Sequence, residues 1–162
     1  MLVSGAILGF IAGFALRRDW RPLREFQLRA FPVLLAAILM RGVALAVPRV
    51  GLPLEVLGIA AIGLVALINR RTTGMVLIAV GCALNVLVIF VNQGMPVASD
   101  ALLSAGAEMP HDPLHVVLGE ATRLPALGDI IPVGPFHSVY SVGDLAIAIG
   151  GFVVPFRALL KS

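Results

Sequence analysis

The chain has 162 residues, of which 59% are apolar and only 13% charged, with a mean hydropathy of +1.02. An average soluble domain carries about twice that charged fraction, so a water-soluble globule of this size could not cover its apolar surface, and the residues outside the apolar runs are too few for a soluble enzyme domain. The net charge of +3 is small and is not gathered into a nucleic-acid-binding face.

Five apolar runs predict an all-α polytopic membrane bundle of about five transmembrane helices, forming a single membrane domain over residues 1–162. The first, Met1–Leu16, has no basic residue ahead of it and ends in Arg17-Arg18 rather than a small-residue cleavage site, so it reads as a retained helix and not a signal peptide. Its Gly5, Gly9 and Gly13 form one helical stripe, which reads as a packing face for a neighbouring helix, with a dimer seam as the alternative. The connector Arg17–Ala30 reads as a basic loop that fixes topology. The alternative is a short interfacial helix, because Trp20, Leu23 and Phe26 recur at spacing three beside Arg21, Arg24 and Arg29.

The second run, 31–47, has Pro32 near its start, Pro48 just past its end and Arg41 inside it; the third, 53–68, opens on Pro53 and carries Glu55 at its mouth. The fourth, 74–91, holds Asn85 and the lone Cys82, so no intramolecular disulfide is possible. The fifth, 141–160, begins Ser141-Val142-Gly143-Asp144, an approximate capping box with aspartate in the usual Glu/Gln place. Gly150, Gly151 and Pro155 predict a weakened or bent second half for it.

Orientation follows from the basic residues. Arg17, Arg18, Arg21, Arg24, Arg29, Arg70, Arg71, Arg157 and Lys161 fall on one side of these spans, against Arg49 and Arg123 on the other. The positive-inside rule then places the N-terminus outside and the C-terminus inside.

The extracytoplasmic segment 92–140 is long for a loop and holds Asp100, Glu108, Asp112, Glu120, Asp129 and all three histidines. Its apolar groups Leu114–Leu118 and Leu124–Ile131 are too short to span, so the segment is expected to lie on the membrane or cap the bundle. His111, His115 and Glu120 are residue types that could ligate zinc or a related metal, although Pro110 and Pro113 argue against a shared helical face and simple hydrogen bonding is the plainer role. Leu127-Gly128-Asp129 and Gly143-Asp144 read as ordered turns.

Counting along the helices brings a second set together. Arg41 and Asn85 each lie six positions before the outer end of a span, hence about 9 Å below it at helical rise. Glu55 and Asp144 stand at the outer ends of two other helices. Facing inward, these four would form a polar cluster in which Glu55 or Asp144 neutralises Arg41 and Asn85 hydrogen-bonds it; the alternative is an arginine that snorkels outward. With Asn92 and Asp129 they are the candidate pocket residues.

The pieces Asn69-Arg70-Arg71, Gly74-Met75, Gly81, Asn85 and Asn92-Gln93-Gly94-Met95-Pro96-Val97, followed by His115, Thr122-Arg123-Leu124, Leu127-Gly128-Asp129-Ile130-Ile131-Pro132 and Ser141-Val142-Gly143-Asp144, occur in this order. Together they resemble a family of small bacterial integral membrane proteins catalogued as domain of unknown function 5317, and the likeness covers essentially the whole chain. The resemblance implies a multi-pass protein of the bacterial cytoplasmic membrane with about five helices. It implies no activity and no catalytic residues.

The leading functional expectation is a binding or accessory membrane protein with a polar pocket at the outer interface for a lipid headgroup, an isoprenoid-linked molecule or a partner membrane subunit. The alternative is a metal-assisted hydrolase or transferase acting on lipid-linked substrates, with Asp129 as base. A small transporter ranks lowest, because the inner halves of the spans carry almost no ionisable groups. Expected partners are membrane lipids and another membrane protein or a second copy, with no nucleic acid; no cofactor is expected apart from that metal.

Overall fold

A computed structural model describes residues 2–17, 27–110, 112 and 114–160. Trp20, Leu23 and Phe26 of the connector and the candidate ligand His111 lie outside these residues. The protein is mostly helical: α1 Leu2–Arg17, α2 Phe31–Ala46, α3 Pro48–Ile68, α4 Met75–Asn92, a short α5 Ser99–Ala105, and α6 Val142–Leu160. Val50–Ile68, Met75–Asn92 and Val142–Leu160 are long and apolar enough to cross a membrane, while Val3–Leu16 and Phe31–Ala44 are apolar but shorter.

Two boundaries differ from those expected. The helix expected to open at Pro53 opens at Pro48, and Val47 alone separates it from α2. Both prolines suit the first turn of a helix, where the missing N–H costs nothing; the earlier one takes that place, and Pro53 is left inside α3. The expected weakening of the last span does not interrupt it, since α6 continues through Pro155 to Leu160.

Segment 92–140 departs from the all-α class expected of the chain. Beside α5 it contains β1 Met95–Val97 paired in parallel with β2 His115–Val117, and an antiparallel hairpin of β3 Ile131–Val133 with β4 Ser138–Tyr140. A further parallel bridge joins Val97 to Asp129.

The long helices pack in the order α1–α6–α4–α3–α2, so α1 and α2 are the two ends of the row. The core lies between α2, α3, α4 and α6, where Ala37, Ile59, Ile62, Ile78, Cys82 and Ile147 are buried together. Large apolar residues cover the outside, with Leu39 of α2 70% and Phe90 of α4 69% exposed. A surface this apolar would be insoluble in water and suits contact with lipid chains.

The glycine stripe of α1 faces α6. A methyl at Gly5 would meet the Ala148 carbonyl, one at Gly9 the Phe152 backbone, and one at Gly13 the Leu159 side chain. The stripe is therefore a packing face within the chain, where absent side chains let two backbones touch. Gly9→Val is expected to push α1 off α6 and lower stability by about 1–3 kcal/mol, the usual cost of overpacking. Unfolding by SDS titration, followed by circular dichroism, measures this against Gly42→Val, whose site on α2 is open.

Candidate functional site

The site begins with two glycines. α4 and α6 cross so closely at Gly81 and Gly143 that a methyl on either would strike the other's carbonyl oxygen. One turn beyond this crossing, Asn85 Nδ2 donates to Asp144 Oδ1 at 3.0 Å. Ser141, fully buried, ties the same group together. Its hydroxyl donates to Asn85 Oδ1 at 3.0 Å and accepts the Asp144 N–H at 3.0 Å, while its own N–H donates to Asp144 Oδ2 at 3.3 Å. The capping box read from the sequence is thus formed with aspartate as the reciprocal partner. Its serine also fixes the asparagine amide, a role no local spacing announces.

Arg41 of α2 reaches across to α3. Its Nη1 lies 2.7 Å from Glu55 Oε1, and Gly58, one helical turn along α3, leaves room for the arginine stem. The pair is unequal: the Glu55 side chain is 10% exposed and that of Arg41 41%.

Segment 92–140 brings two more groups over these helix ends. The Asp129 N–H donates to the Pro96 carbonyl at 2.8 Å, and the Asp129 carbonyl accepts the Ala98 N–H at 3.0 Å. The Leu-Gly-Asp piece is thereby strapped along Met-Pro-Val, with Gly128 against the Pro96 carbonyl, where a methyl would be too close. Asp129 is only 6% exposed; its Oδ1 has no hydrogen-bond partner among the described residues, and its Oδ2 stands 4.0 Å from His115 Nε2, beyond a direct bond. Asp112 Oδ1 fixes the other ring nitrogen of His115 at 2.7 Å and also accepts the Leu114 N–H at 2.8 Å. Burial first, and the Asp144 carboxylate second, push the Asp129 carboxyl up to about 8, so it holds its proton at neutral pH.

Arg41, Glu55, Asn85, Asp129, Asp144 and His115 line one cavity of about 300 Å³, whose remaining wall is apolar. That volume is at the lower end for small-molecule sites, about 300–1,000 Å³. The other candidates lie elsewhere. Asn92 is not on this wall: its amide donates to the Val88 and Arg123 carbonyls and accepts the Arg123 N–H, pinning the loop as a paired strand would. Glu120 is exposed in the turn after β2 and is also not on the wall. Among the described residues, no three histidine, cysteine or carboxylate side chains are placed to share a metal ion. His115, read from the sequence as a candidate metal ligand, here faces the cavity beside Asp129.

No curated protein and no solved structure matches the chain. Residues 25–156 match the sequence pattern of a family described as one of unknown function, a range that takes in every element lining the cavity except α1. The chain therefore belongs to the family of unknown function DUF5317.

Proposed function

We propose that this chain is a multi-pass protein of the bacterial cytoplasmic membrane that binds the polar head of a membrane amphiphile in the cavity under segment 92–140. In this reading α1, α2, α3, α4 and α6 all span, with the N-terminus outside and the C-terminus inside, and segment 92–140 caps the outer ends. The shorter α1 and α2 are accommodated by local thinning and by snorkelling of flanking arginines. Arg29, Arg70, Arg71 and Arg157 then sit on the inner side, where positive charge is favoured.

The observation that carries the reading is convergence on an unsatisfied group. Side chains from α2, α3, α4, α6 and the strapped loops meet at one cavity, and one of the residues lining it, Asp129, has a buried carboxyl oxygen with no partner among the described residues. A buried polar group left unsatisfied costs about 1–3 kcal/mol, a cost that a ligand donating to it would relieve. The metal-assisted alternative finds no such supporting group.

The test is extraction in a mild detergent followed by mass spectrometry of bound small molecules. The wild-type protein is expected to carry an amphiphile at near-stoichiometric level, and Asp144→Asn to lose it at least tenfold while remaining monodisperse. Wild-type protein that retains nothing beyond bulk lipid composition would overturn the reading.

A further inference from the structure

A second cavity, of about 470 Å³, lies between the two ends of the helix row. Ile7 and Phe10 of α1 face Leu34 of α2 across it, and Ala66 and Met75 close its floor. Its wall is apolar throughout. Val3, Ile38 and Ile62 line both this cavity and the polar one, so the two are adjoining chambers separated by shared side chains. A polar chamber beside an apolar one along a helix seam, with only the side chains of Val3, Ile38 and Ile62 between them, has the form of an amphiphile site: a head at the membrane interface and a hydrocarbon chain below it.

We propose that the two chambers together hold one amine-headed lipid, its hydrocarbon chain between α1 and α2 and its ammonium among Asp129, Asp144 and Glu55. The inference rests on the reading of the polar cavity as a head-group site and adds the chain and the charge of the head. The arrangement of the seam supports the chain. α1 and α2 are not neighbours in the packing order, and the space between them offers no group that water could hydrogen-bond.

The charge of the chamber supports the head. The one guanidinium lining it is engaged by Glu55 at 2.7 Å, which leaves the Asp144 carboxylate without a cation, and Asp129 adds a protonated carboxyl beside it. Asp129, 6% exposed, lines the same space, and its Oδ1 has no hydrogen-bond partner among the described residues. An ammonium supplies a positive charge for the Asp144 carboxylate and N–H donors for the carboxyl oxygens of the wall. A head bearing phosphate alone would meet Asp144 and Glu55 with like charge.

The discriminating experiment uses the full chain in a mild detergent, depleted of lipid and titrated by native mass spectrometry. Three lipids with identical dioleoyl chains are compared: phosphatidylethanolamine, phosphatidylcholine, whose ammonium has no N–H, and phosphatidylglycerol, which has no amine. Phosphatidylethanolamine is expected to bind at least tenfold more tightly than either, and chain-free glycerophosphoethanolamine at least a hundredfold more weakly than its lipid. Ala6→Trp, which fills the apolar chamber from α1, is expected to weaken the lipid at least tenfold. As a check independent of that variant's folding, a phosphatidylethanolamine with a diazirine in its acyl chain is expected to label Ile7, Phe10, Leu34 or Ile38 in the wild-type protein. Equal affinity for the three lipids overturns the ammonium assignment. Labelling spread over the lipid-facing residues Leu39 and Phe90 overturns the chain assignment while leaving the head-group reading standing. Failure of every lipid to bind above detergent background sinks both.

Discussion

Arg41→Gln is expected to destabilise the protein by about 2 kcal/mol, and adding Glu55→Gln to the same chain is expected to recover at least half of that loss. The reasoning starts from the inequality of the pair. Glu55 is 8% exposed and takes the arginine at 2.7 Å, so removing Arg41 strands a carboxylate in a poorly hydrated place. Breaking a buried pair from one side costs about 3–5 kcal/mol. The Arg41 side chain is 41% exposed, so solvent already screens part of the attraction and the cost falls below that range, to about 2 kcal/mol. Glu55→Gln alone should cost less, because the flexible arginine can turn its head outward to water while its stem stays packed beside Gly58. The order of the two single variants is therefore part of the expectation. SDS titration of the wild type, the two single variants and the double variant gives the coupling directly. Additive effects, or a larger loss in Glu55→Gln, would show an arginine that snorkels without depending on its partner.

What the sequence revealed of this site depended on the range of each interaction. Ser141 and Asp144 are three residues apart, and their capping box could be read from spacing because it is local. Counting helical rise from the ends of two runs puts Arg41 and Asn85 at one expected depth, because a helix converts sequence distance into height. The residues Arg41, Glu55, Asn85 and Asp144 do line one cavity, although the chain joins them through Val47 and through the loops before α4 and α6. Segment 92–140 was far less legible. Its strands are three residues long, and β1 is buried throughout rather than alternating, so no period marks it. The strap from Pro96 to Asp129 is a backbone pairing and the amide of Asn92 clasping Arg123 joins a side chain to a backbone, each across about 30 residues, and nothing in residue type announces a partner at that distance. The polarity that makes Asn92 a candidate pocket residue in the sequence is used up in holding a loop. Asn69 does the same at the other end of the bundle, where its amide exchanges hydrogen bonds with the Arg29 backbone.

Asp129 is expected to make the protein progressively less stable as pH rises from about 4 to about 8, and Asp129→Asn to remove that dependence. The folded protein holds the Asp129 proton up to about 8, against an ordinary value of 3.8. Below both values the folded and unfolded chains carry the same proton, and the residue has no effect. Between them the unfolded chain ionises while the folded one keeps its proton, so the folded state binds more protons and stability falls as pH rises, by at most about 1.4 kcal/mol per unit. Above about 8 both forms are ionised and the penalty is constant. Asparagine has the shape of the neutral acid and no charge to desolvate, so the variant should match the wild type near pH 4 and exceed it at pH 8, by about 3–5 kcal/mol at most. Melting in detergent across this pH range provides the measurement; parallel profiles for the two proteins would refute the expectation. Asp144→Asn should move the upper end of the window to lower pH, because the Asp144 carboxylate is the second cause of the shift, but by less than the whole effect, because burial is the first. The same substitution carries the functional argument further. A variant that is more stable at pH 8 yet holds the amine-headed lipid less tightly would show that the aspartate is kept at a cost to the fold, as is expected of a group whose partner is a ligand rather than the protein.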